Sequence, residues 1–60
     1  MSQDKLEAAA STYRRRIRNQ PSVAAYAELA RVLARLGHHD AARRARVNAK
    51  AMRHGKKVVQ

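Results

Sequence analysis

The chain has no cysteine, no phenylalanine and no tryptophan, and only one proline and two glycines among its 60 residues. Lack of cysteine excludes disulfides, thiolate metal sites and thiol nucleophiles, and removes any disulfide evidence about compartment. With two tyrosines as its only aromatics, the chain must fill its core largely with alanine, which offers little apolar area per residue. So short a chain buries only about 60% of the surface it exposes when unfolded, which permits one domain and little stability. No apolar run approaches the roughly 20 residues that span a bilayer, and the N-terminal residues lack the charged-then-apolar layout of a secretory signal. A cytoplasmic protein is expected. The Arg-rich first helix has some presequence character, against which Asp4 and Glu7 argue.

Acid is scarce as well: 14 Lys and Arg face four Asp and Glu, a formal net charge of +10. Residues 1–20 carry five basic and two acidic groups, residues 21–40 two of each, and residues 41–60 seven basic groups and no acid. A field of this kind attracts acidic protein surfaces, nucleic acid or anionic membrane and speeds encounter with them. The same composition also arises from a GC-rich genome, and a solvated Arg face keeps a small Ala-rich protein in solution.

What the sequence does contain is helical periodicity. Leu6, Ala9, Ala10, Tyr13 and Ile17 recur at steps of three and four, predicting a helix from about Gln3 to Asn19 with Arg14, Arg15 and Arg18 on its other side. Pro21 ends it by removing a donor and biasing its predecessor out of the helical region. Ser22 suits the N-cap of a second helix, which runs to about Leu36 with Val23, Tyr26, Ala27, Leu29, Ala30, Val32, Leu33 and Leu36 around most of its circumference. Such a helix is flanked on two sides. Its polar strip holds Glu28, Arg31 and Arg35, with Glu28 and Arg31 at pairing distance i,i+3. Gly37 fits a left-handed helix end, and Asp40 places an acceptor and a negative charge at the start of a third helix. That helix is expected to reach Arg53, with Ala41, Ala42, Ala45, Ala49 and Met52 inward and Gly55 beyond its end. At 100° per residue, Arg43, Arg46, Lys50, Arg53 and His54 fall in a sector roughly 100° wide, which Lys57 would extend.

An aromatic, a Leu, a small and a large apolar residue at Tyr26, Leu29, Ala30 and Leu33, a turn glycine at Gly37, then small residues at Ala42 and Ala49: this hairpin resembles a tetratricopeptide repeat. Extended backwards, Pro21 takes the place of the proline closing a preceding repeat, and Ala9 and Tyr13 take that repeat's small and aromatic positions. The resemblance covers residues 6–49 as one and a half repeats. Departures are Arg46 for a large apolar residue, Arg16 for a small one, His54 for the closing proline, and a linker after Pro21 one residue shorter. About three repeats are normally needed to bury a solenoid core, so the resemblance implies that a partner or a second copy covers the exposed face of the first helix. It also implies a peptide-binding surface on the second helix at Ala24, Ala27, Arg31, Ala34 and Arg35, where Arg31 and Arg35 could grip a carboxylate.

The stripe Arg43, Arg46, Lys50 and Arg53 could also follow phosphates, although single-strand binding usually needs aromatic platforms and both tyrosines are assigned to the core. His38, His39 and Asp40 are adjacent in a turn, a poor ligand geometry, and His54 belongs at the other end of the third helix. Neither a metal nor a cofactor is expected. No paired acid and base and no nucleophile with a neighbouring histidine suggests catalysis, and the alanine face of the third helix lacks the bulky residues of membrane-surface helices.

The expectation is an all-α protein of three antiparallel helices, a repeat-like hairpin plus one preceding helix, with residues 1–54 as one domain and 55–60 as a flexible basic tail. Its expected role is that of a non-enzymatic accessory or adaptor subunit, binding a larger protein with an acidic surface through Arg31, Arg35, Arg43, Arg46, Lys50 and Arg53. The alternative is a nucleic-acid- or ribosome-associated protein using the third-helix stripe.

Overall fold

The computed structural model describes residues 3–55 and is all-helical over them. Three helices follow one another: α1 (Gln3–Asn19), α2 (Val23–Arg35) and α3 (His39–Arg53). Of the tail expected at residues 55–60, Gly55 is described, and residues 56–60, with Lys57, lie outside the described residues.

Local chemistry sets the boundaries. α2 starts where the Ser22 hydroxyl accepts a hydrogen bond from the Ala25 N–H at 3.1 Å, with Ser22 in extended backbone. Ser22→Ala should lower stability by about 1 kcal/mol, read as a lower midpoint in a thermal melt, whereas Ser22→Gly should cost only a few tenths. At the other end Gly37 has φ +85°, and the N–H groups of Gly37 and His38 donate to the carbonyls of Ala34 and Leu33 at 3.1 and 2.9 Å. This pair of bonds is a Schellman motif, which satisfies carbonyls that the helix end leaves open. α3 departs from expectation at its start. His38 is the N-cap and its side chain makes no capping bond, while Asp40 lies in the first turn. There the Asp40 carboxylate acts on the positive end of the helix dipole rather than as a capping acceptor.

α1 and α3 each pack on α2, and their backbones do not approach one another. α2 is therefore the middle member of a row. Its apolar circumference is explained by this position: Leu29, Ala30 and Leu33 are buried and form one cluster with Ala10 of α1 and Ala42 and Ala45 of α3. The alanines let α3 come close to α2, since short side chains at a contact reduce the distance between helix axes. Around the cluster pack Tyr13, Ile17, Val32, Ala34, Leu36 and Ala41, all half-buried. Ala25 and Asn48 are also buried, and neither was anticipated as inward-facing. Met52 is half-buried and Val47, on the outer side of α3, is half exposed.

Candidate functional site

The row of helices leaves grooves between neighbours, and the cationic side chains distribute among them. One of them, about 400 Å³, runs between α2 and α3. Its floor is Ala27, Ala30 and Ala49; Arg31 forms the α2 side, and Arg46, Lys50 and Arg53, with His54, form the α3 side. All four Arg and Lys side chains belong to exposed residues. No carboxylate, hydroxyl or tyrosine ring lines this groove. The four cations repel one another at short range, an unfavourable arrangement in the free protein that an anionic occupant relieves. The position of Lys50 and Arg53 in the last turn of α3 offsets part of that repulsion through the negative end of the helix dipole.

The six basic residues expected to bind a partner do not form one surface. Arg31, Arg46, Lys50 and Arg53 meet in the α2–α3 groove. Arg35 lines a second groove of about 300 Å³ between α1 and α2, with Leu6, Ala9, Tyr13, Val32, Glu28 and again Arg31. Arg43 lines neither groove and borders a small pocket with Arg44, Val47 and Asn48. Arg31 is shared by the first two grooves and forms an ion pair with Glu28 at 3.6 Å, a separation too long for a hydrogen bond. With side chains 70% and 43% exposed, this pair contributes at most a few tenths of a kcal/mol to stability and leaves Arg31 available to a stronger acceptor.

Of the remaining marked positions, Tyr26, Leu29, Ala30, Leu33, Ala42 and Ala49 are buried, Ala9 and Tyr13 are half-buried, Pro21 is exposed and Gly37 makes the turn. The Arg16 guanidinium lies 5.4 Å from the centre of the Tyr13 ring, within cation–π range. Arg16 thus has a use on the solvent side of α1. Two residues outside the expected set, Arg14 of α1 and Arg44 of α3, share a shallow cleft of about 190 Å³ over Tyr26, Leu29 and Leu33. The signal for such a pairing is absent from local spacing, because the two residues meet only through the packing of both helices on α2.

Among the described residues, no group of three or more His, Cys, Asp or Glu side chains is placed to hold a metal ion, and no helix is long and apolar enough to cross a membrane. Comparison with protein-family models, with curated proteins and with solved structures gives no match, so the α2–α3 groove must be interpreted from its own residues.

Proposed function

We propose that this protein is a non-enzymatic accessory or adaptor subunit that docks through its α2–α3 groove on an acidic segment of a larger protein. The observation carrying this reading is the convergence of Arg31, Arg46, Lys50 and Arg53, from two helices, around an alanine floor with no acid in the lining. Guanidinium groups favour carboxylates through paired, charge-assisted hydrogen bonds. Apart from Lys50 and His54 the lining holds no group able to act as nucleophile or to move a proton, and it offers no carboxylate to pair with either, which favours binding over catalysis.

We further propose that the three helices act as one and a half tetratricopeptide-like repeats. In support, α2 is packed between α1 and α3, as a middle element of a helical stack would be, and contact is made through Ala30, Ala42 and Ala45. Nucleic acid is the competing partner. Single strands are normally gripped by bases stacked on aromatic rings as well as by cations. Tyr26 is buried, the Tyr13 ring faces Arg16, and neither lines the basic groove.

The test is purification of the tagged full chain from its own cells with and without nuclease. A protein partner should remain after nuclease treatment, elute as salt rises, and cross-link through its acidic residues to Lys50 of α3. Loss of every partner on nuclease treatment would overturn the adaptor reading in favour of nucleic acid.

A further inference from the structure

We infer that the occupant of the α2–α3 groove is an acidic helix of the partner protein, laid in the groove alongside both α2 and α3. The inference rests on the proposed function and adds the conformation and residue spacing of the bound segment.

α2 has a helix backbone packed on each of two sides, whereas the only helix backbone close to that of α3 among the described residues is that of α2. The groove lies between α2 and α3, and of its floor alanines Ala30 and Ala49 are buried while Ala27 is half-buried. A floor of alanines offers an approaching helix no obstacle to the short end of the 8–10 Å range of axial separations. Basic side chains on the rim then decide which helix fits.

The α3 side of the groove presents cations at positions 46, 50 and 53, steps of four and three residues. Along a helix these steps rise by about 6 and 4.5 Å. A second helix alongside presents carboxylates at the same intervals, and on one face, when they stand at i, i+4 and i+7 or in the reverse order. An extended segment places same-side residues about 6.6 Å apart and covers about 13 Å in two steps, against about 10.5 Å for the three cations. Helical spacing therefore matches the rim without stretching the side chains.

Charge excludes the nearer alternatives. A second copy brings a net charge of +10 to a basic groove, and the chain's own sequence after Gly55 begins with Lys56 and Lys57. Both are repelled. A partner helix with Asp or Glu along one edge and small apolar residues beside it satisfies rim and floor together, in the manner of helix-in-groove recognition. On the opposite wall, a carboxylate from that helix competes with Glu28 for Arg31, whose present ion pair is long and exposed.

The test uses the full chain and three fluorescein-labelled probes of equal net charge: an Ala-rich helical peptide with Glu at i, i+4 and i+7, an isomer of identical composition with its Glu residues spread around the helix, and a uridine oligonucleotide. Anisotropy titrations near physiological ionic strength should give about tenfold tighter binding for the aligned peptide than for its isomer. Arg46→Gln and Lys50→Gln should each weaken the aligned peptide several-fold, whereas Arg15→Gln on α1 should leave it unchanged. Circular dichroism should show increased peptide helicity on binding. Equal binding of the two peptides would overturn the helical inference while leaving an acid-binding groove. Failure of both peptides alongside tight oligonucleotide binding would overturn the adaptor reading as well. A preference for the aligned peptide that ignores Arg46→Gln and Lys50→Gln would place the occupant elsewhere and overturn the site.

Discussion

Leu33→Ala should leave the isolated chain largely unfolded. Leu33 is only 2% exposed and sits where α2 meets both neighbours, in one cluster with Ala10 of α1 and Ala42 and Ala45 of α3. Deleting a buried leucine side chain of this kind costs about 2–5 kcal/mol in lost burial and residual cavity. A chain of this length has about 3–9 kcal/mol of total stability at the usual scale per residue. Here the lower part of that range applies, because most of the buried partners are alanines, which cannot compensate by repacking. Far-UV circular dichroism against urea reads the effect directly: the transition should move to very low denaturant or disappear. Val47→Ala provides the contrast, since Val47 is 50% exposed and its truncation should stay within about 0.5 kcal/mol. Comparable midpoints for the two variants would show that the three-helix junction is not centred on Leu33.

Reversing the groove is the second large expectation. Arg46→Glu with Lys50→Glu changes the local charge by four units at the α3 rim, replacing attraction with repulsion at contact distance. Partner retention in nuclease-treated extracts should be abolished. Folding should survive, because both residues are exposed and glutamate is a good helix former. Arg15→Glu with Arg18→Glu carries the same change in net charge on α1, whose residues do not line this groove, and serves as the control. At physiological salt, charges more than about 8 Å apart are largely screened, so the control should reduce retention only modestly. Equal loss in both variants would mean that the partner senses overall charge rather than this groove. Helical content measured on both proteins separates a binding defect from unfolding.

Much of the fold is legible because its determinants are local. The stripe from Leu6 to Ile17 predicts α1, and the helix runs Gln3–Asn19. Ser22 caps α2 and Gly37 closes it through φ +85°, each by chemistry confined to a few adjacent residues. The start of α3 is less legible. Asp40 has the composition of a cap, yet His38 occupies the cap position and Asp40 the first turn, because the Schellman turn after Leu36 fixes where the backbone can become helical again. Asn48 has a polar side chain and is nevertheless buried, since alanine neighbours allow α3 to approach α2 closely. Composition gives no warning of such burial.

The candidate site divides along the same line. Helical spacing places Arg46, Lys50 and Arg53 on one side of α3, a consequence of 3.6 residues per turn that requires no tertiary contact. Spacing cannot say which side of a neighbouring helix they will face. The rotation and crossing of α2 and α3 bring Arg31 to their groove, turn Arg35 toward α1, and leave Arg43 outside the lining of both grooves. The sequence alone determined three helices, their breaks and the alanine faces, because periodicity, capping and left-handed turns act within a few residues. Only the tertiary structure decided that four of the six cations expected to bind a partner share one groove, because that depends on how side chains distant in sequence pack around α2.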